Sequence, residues 1–190
     1  MDYFEDTVKT ILEREGYWVR QSFKVELTRD EKLEVMQDPR RASIPRVEVD
    51  LLVFDAQKNN VLVLEVKSLI NSLGVQIKEL KEEHEIPQGR YKLFTSANYK
   101  RVVFKRLKSQ LMQLQMASET TTLQLGLAAG KVHRWGETSA EFDKLFKQND
   151  WEFWSPQLIK SKLEKMAGDG YENNPTVLAA KILLGTKGDS

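Results

Sequence analysis

Between Arg46 and Ser68 the chain reads RVEVDLLVFDAQKNNVLVLEVKS, two aliphatic and β-branched runs joined by the polar AQKNN. Runs that are apolar on both faces belong to inner strands, covered on both sides. A short polar break between two of them predicts an antiparallel hairpin. Asp50, Glu65 and Lys67 are set into these runs. A charge inside a doubly covered strand is costly unless it is paired or metal-bound. Glu65 and Lys67 are two residues apart and project from one face, which Asp50 reaches if it lies across the hairpin. Two carboxylates suit a hard divalent cation, and an ammonium beside them orients a water or steadies phosphate charge. That combination fits phosphodiester hydrolysis. Glu48, two residues before Asp50, either supports the site or lies exposed.

Around the hairpin the periodicity is mostly clear. Phe4, Val8, Ile11 and Leu12 fall at helical spacing over residues 2–15, with Gly16 as the stop. Residues 17–27 alternate as a strand. Thr28 with Glu31 predicts a capping box opening a short helix. QDPRRASIPR reads as a positively charged loop, IKELKEEHE as a short exposed helix, and RYKLFT (90–95) as a strand. Residues 98–118 form a basic amphipathic helix whose buried stripe is Val102 or Val103, Leu107, Leu111 and Leu114. Residues 121–132 read as another strand. The rest, 136–190, reads as helical and connecting segments, with Ser155-Pro156 a helix start, a final helix near Pro175 and a frayed GTKGDS end.

The order helix, strand, hairpin, helix, strand, with Asp50 followed by Glu65-Val66-Lys67 after a turn, resembles the PD-(D/E)XK nuclease superfamily. FEDTVKTILEREGYWV fits its leading helix with an acid, Glu5, and a Gly-aromatic exit at Gly16-Tyr17. The proline that usually precedes the first acid is absent, since Val49 stands there and Pro45 is the nearest. The resemblance covers residues 2–134. It implies an α/β fold: a restriction-endonuclease-like αβββαβ core over 1–135, with a central mixed sheet flanked by helices. The helical segments over 136–190 are expected as a C-terminal extension packed on that core. The resemblance also implies a Mg²⁺ ion, or Mn²⁺ in its place, held by Asp50, Glu65 and the Val66 carbonyl. Lys67 would position or help deprotonate the attacking water. Glu5 and Gln110 are further candidates for the catalytic group. Glu5 borders the apolar stripe and faces either water or the site, and Gln113 competes with Gln110 for the role.

Composition limits the alternatives. The 190 residues are 41% hydrophobic and 30% charged, ordinary for a globular chain, and contain no cysteine, which excludes disulfides and thiolate metal sites. MDYFEDTVKT carries neither a basic leader nor an apolar signal core, so a cytoplasmic protein without membrane contact is expected. The net charge of +1 predicts no bulk affinity for nucleic acid, yet residues 86–118 hold no Asp or Glu. Within that stretch Lys100, Arg101, Lys105, Arg106 and Lys108 are candidate DNA phosphate contacts, or else a solvated helix face. No GxSxG elbow accompanies Ser68 or Ser72, and His84 and His133 lack metal spacing. No Walker A or GxGxxG loop is present. The Trp151–Trp154 cluster reads as packing before base stacking. A DNA endonuclease is therefore expected. Its competitors are a catalytically weak nucleic-acid-binding module or subunit of the same fold, and a protein-interaction domain. A homodimer or a partner subunit fits double-strand cutting.

Overall fold

The computed structural model describes residues 2–37, 46–170 and 173–184. The charged loop expected over QDPRRASIPR falls mainly on residues outside this set, as does the GTKGDS end.

Helix α1 (Tyr3–Arg14) starts where the Asp2 carboxylate accepts the Phe4 N–H at 2.8 Å, and Glu5 and Asp6 complement the dipole in its first turn. Gly16, at φ +91°, takes the left-handed conformation that turns the chain into strand β1 (Trp18–Val25). Helix α2 (Arg29–Met36) opens with the expected capping box between Thr28 and Glu31. Strands β2 (Val47–Asp55) and β3 (Asn60–Lys67) form the expected antiparallel hairpin.

The crossover from β3 to strand β4 (Thr122–Ala129) contains helices α3 (Ile77–Lys81), α4 (Lys92–Thr95) and α5 (Ala97–Gln113). Residues 90–95 were expected as a strand. Instead, Phe94 and Thr95 both donate their main-chain N–H to the Tyr91 carbonyl, closing one helical turn. Leu93, Phe94, Thr95 and Ser96 are all buried, so the apparent alternation in RYKLFT does not separate two faces. α5 buries Val102, Val103, Leu107 and Leu111, but it stops before Leu114, which is 52% exposed. There Gln115 turns left-handed (φ +57°) and the chain doubles back toward β4.

After helix α6 (Trp135–Gln148) comes a strand that sequence reasoning missed. Strand β5 (Glu152–Trp154) pairs in parallel with β4 through Gly126↔Glu152, Leu127↔Phe153 and Ala128↔Trp154. Three bulky residues between two helices carry no alternation to betray them. Helix α7 (Pro156–Gly168) starts at the expected Ser155 cap, whose hydroxyl accepts from Leu158 N, and α8 (Pro175–Leu184) follows. Residues beyond 135 thus contribute a strand as well as helices.

The result is an α/β fold with a mixed five-stranded open sheet, ordered β1-β2-β3-β4-β5, antiparallel through β3 and parallel from β3 to β5. Helices cover both faces. One core joins α1, α7 and α8 to Leu51, Val53, Leu62, Leu64 and Val66. The other joins α2 through α6 to Phe23, Val49, Leu52, Val63 and Leu127. Trp154 is buried, and Trp151 packs edge-on to Phe94 with ring centroids 5.0 Å apart. The cluster is packing, as expected.

Candidate active site at the open end of the hairpin

The β2–β3 ladder runs from Asp55↔Asn60 to Leu51↔Leu64 and goes no further. β3 nevertheless stays paired to β4 as far as Lys67↔Ala129. The next residue back on β2 is Asp50, and its carboxylate takes over the lost ladder contact. Asp50 Oδ2 accepts the Val66 N–H at 2.7 Å and the Lys67 Nζ at 2.9 Å. Lys67 Nζ also lies 3.1 Å from Glu65 Oε2. The three side chains converge as the sequence predicts, and they are only 15–21% exposed.

Beside Asp50 the sheet rolls over. β1 and β2 pair through Gln21↔Leu51 and Phe23↔Val49, but Ser22, between them, sits at φ +54° and is skipped. Tyr17 and Val19 pack on the α1 side, while Phe23 and Val25, of the same parity, pack on the α5 side. β2 does likewise: Leu51 and Val53 face α1, Val47 and Val49 face α5. A strict two-residue period therefore fails at Ser22 and Asp50, which the ladder skips without a change of register, and the left-handed, non-glycine Ser22 marks the turn-over.

Glu5 reaches the same neighbourhood from α1. The helix start is docked by Phe4, whose ring fills the space a Cβ on Gly130 would need (3.1 Å to Cζ). Gly130 in turn donates its N–H to the Lys67 carbonyl. Glu5 Oε2 accepts from Gln21 Nε2 at 3.2 Å. Gln21 was not singled out from sequence. Its signal was a polar side chain in β1 opposite Leu51, one step from Asp50.

Electrostatics bind these groups together. Burial pushes the Glu65 carboxyl up; Lys67 opposes this, and Asp50 and Glu5 add to it. Burial likewise raises Glu5; Gln21 opposes, and Asp50 reinforces. Burial alone would lower Lys67, yet the Glu65 and Asp50 charges outweigh it and hold the ammonium well above the usual lysine range. All three shifts are upward, as expected where three carboxylates surround one ammonium. Fully ionised, the group carries two excess negative charges.

Two of its oxygens, Asp50 Oδ1 and Glu65 Oε1, have no hydrogen-bond partner among the described residues. Along β3 the main-chain groups alternate sides, and Lys67 O faces β4, so Val66 turns its N–H and C=O toward β2 and Asp50. Among the described residues no three His, Cys, Asp or Glu side chains form a ready metal cage. Mg²⁺ needs none, because it keeps several waters and is commonly held by one or two carboxylates. The donor set of two carboxylate oxygens and one carbonyl suits a hard cation.

The remaining candidates lie elsewhere. Gln110 is not brought to the group: its Oε1 accepts from Glu26 N at 3.0 Å and its Nε2 donates to Lys24 O, closing the far end of β1. Gln113 lies at the exposed end of α5. Glu48 is exposed and has no hydrogen bond to the three. The basic face of α5 is largely engaged. Arg106 grips Glu31 with its Nε at 2.8 and 3.1 Å, and Arg101 pairs with Glu34, both on α2. Burial opposes the ionisation of Glu31, but Arg106 and Thr28 hold its carboxyl below the usual range. Lys108 donates to the Glu119 carbonyl, and Lys100 lies 5.7 Å over the Trp151 ring. Lys105 is exposed and has no hydrogen-bond or ion-pair partner among the described residues. Two of the five charges, Arg101 and Arg106, are thus neutralised locally by α2, a pairing no local pattern announces.

No helix among the described residues is long and apolar enough to cross a membrane. Searches against protein-family models, curated proteins and solved structures found no match to this chain.

Proposed function

We propose that the chain is a Mg²⁺-dependent endonuclease of the PD-(D/E)XK kind, with a restriction-endonuclease-like core, hydrolysing DNA phosphodiesters in the cytoplasm. One observation carries the reading: a partly buried group of Glu5, Asp50 and Glu65 around a single Lys67, with an excess negative charge that a divalent cation would balance. Burying unbalanced charge disfavours the fold, so such a site is retained for what it binds or does. Asp50, Glu65 and the Val66 carbonyl are the groups that would hold Mg²⁺ or Mn²⁺. A bound cation supplies charge against the pentavalent phosphate and acidifies a water. Lys67, held as an ammonium, orients that water and faces the phosphate rather than acting as the resting base. Gln21 and Glu5 fix the side of the site nearest α1. Cutting both strands calls for a second copy or a partner subunit.

Nicking of supercoiled plasmid with Mg²⁺ tests the reading, comparing wild type with Lys67→Ala and Asp50→Asn. Wild-type cutting abolished in both variants supports it. Equal cutting by all three defeats it.

A second reading also has an observation behind it. Lys67 ties both acids to itself, as in a nucleic-acid-binding module of the same fold with little catalysis. Calorimetric titration separates the two: no uptake of Mg²⁺ or Mn²⁺ favours the module.

A further inference from the structure

Next to Glu65 a cleft of about 300 Å³ opens on the α5 side of the sheet. Three cations rim it: Arg46 at the foot of β2, and Arg90 and Lys92 at the start of α4. Tyr91 lies between the last two and is buried (4% exposed), so it anchors the segment and leaves its neighbours at the mouth. The segment is pinned from behind as well, since His84 donates its main-chain N–H to Thr95 O at 2.7 Å and its ring meets Gln88 at 2.8 Å. The three cations are thus presented by anchored backbone.

Three features of the cleft narrow its occupant. Its two carboxylates, Glu48 and Glu65, are outnumbered by the three cations, so the lining is net positive even without a metal, and an anion is favoured. Its volume lies at the bottom of the roughly 300–1,000 Å³ range of ligand sites, room for one nucleotide unit and far from enough for a double helix. Its walls are mixed, with Pro87 and Leu93 offering apolar surface beside the charges. The Tyr99 hydroxyl adds a donor: burial, then Glu65, push it up to about 12, and it has no hydrogen-bond partner among the described residues. None of the three rim cations belongs to the engaged face of α5. Among the described residues Arg46, Arg90 and Lys92 make no ion pair with an acid.

We infer that this cleft takes one unpaired nucleotide of a single DNA strand, its phosphate held by Arg46, Arg90 and Lys92 beside Glu65. The inference rests on the nuclease reading and names the substrate class, single-stranded or frayed DNA in preference to intact duplex. A single strand can splay one nucleotide into a pocket; a duplex must first unpair, which costs a few kcal/mol. The engaged arginines of α5 leave no broad basic platform to offset that cost for a duplex.

The test is fluorescence anisotropy in EDTA with a labelled single-stranded oligonucleotide and the blunt duplex of the same sequence, each titrated with full-length protein. Cleavage of both is then measured in Mg²⁺. Single strand should bind at least about tenfold more tightly than duplex, a difference of about 1.4 kcal/mol. Arg90→Ala/Lys92→Ala should remove most of that preference and lower the salt slope by roughly 1.4, at about 0.7 per lost phosphate contact. Arg46→Ala, on a different element, should lower it by about 0.7. Duplex bound as tightly as single strand by the wild type, or both variants binding single strand like the wild type, overturns the inference. If that happens while Mg²⁺-dependent cutting persists, only the substrate assignment falls. Single-strand preference with no cutting by the wild type removes the nuclease reading and leaves the binding site.

Discussion

The two halves of the β2–β3 hairpin are built from one kind of sequence and do opposite things. Near the turn, Leu51 through Asp55 pair with Leu64 through Asn60, and Leu51, Leu52, Val63 and Leu64 are completely buried. At the other end the ladder gives way, and the freed Val66 N–H is taken by the Asp50 carboxylate. The first half trades apolar area for stability, at about 25 cal/mol per Å² buried. The second half gives up a ladder contact and gathers charge in a partly buried place. Main-chain pairing and a usable cluster of side chains compete for the same space between two strands. The molecule separates them along a single hairpin, with the left-handed Ser22 on the neighbouring strand marking the border.

That division can be broken in several ways. The largest effect is expected at the open end, on activity alone: Asp50→Asn should slow Mg²⁺-dependent plasmid nicking by about 10²–10³-fold, the scale of losing one preorganised charge-stabilising group. Its urea midpoint should stay near that of the wild type. The mirror experiment is Leu64→Ala, which leaves a cavity in the zipped half and should cost about 2–5 kcal/mol in chemical denaturation. Cutting per folded molecule should survive. A variant that unfolded little but lost its activity would erase the distinction between the halves.

Lys67→Met sharpens the comparison further. In EDTA it leaves Asp50 and Glu65 without their shared cation, so the melting temperature should fall. Mg²⁺ should then restore more stability than it adds to the wild type, up to about 2.7 kcal/mol at one hundred times its Kd. No Mg²⁺ response in either protein would argue that the open end does not bind the ion.

The smallest effect is one of pH. The folded state holds the Glu65 proton more tightly than the unfolded chain does. Its contribution to stability is therefore fully present below the ordinary carboxylate value of 4.5 and is lost as pH rises through the elevated one. In metal-free buffer Glu65→Gln should flatten that decline, leaving the variant more stable than wild type near neutrality. Mg²⁺ affinity should run the other way, weakening as pH falls and Glu65 takes up its proton. Melting curves from pH 4 to pH 8 with and without Mg²⁺ would show both.

How far the sequence could be read depended on how local each cause was. The Thr28–Glu31 capping box, the Gly16 turn and the Ser155-Pro156 start each depend on atoms within a few residues, and each is found. The hairpin and its charged trio were legible because charges interrupt otherwise apolar runs. RYKLFT misled because Arg90–Leu93 alternate in polarity although Leu93–Ser96 are buried in succession, and β5 escaped because β4 recruits it from outside its own short segment. Gln110 was chosen by position on its helix, and the structure turns it to the end of β1. Gln21, unremarked in the sequence, is instead the amide that meets Glu5.

By itself, then, the chain determined the hairpin and the helices with local caps or a clear apolar stripe, and that Asp50, Glu65 and Lys67 would need one another, because apolar period and the cost of burying charge act along the backbone. Only the tertiary structure decided that the strands part after Leu51 and Leu64, that the sheet rolls over at Ser22, and that α2 neutralises the arginines of α5. Those outcomes depend on how sheet and helices share space, and such distances are not written in the spacing of residues along one chain.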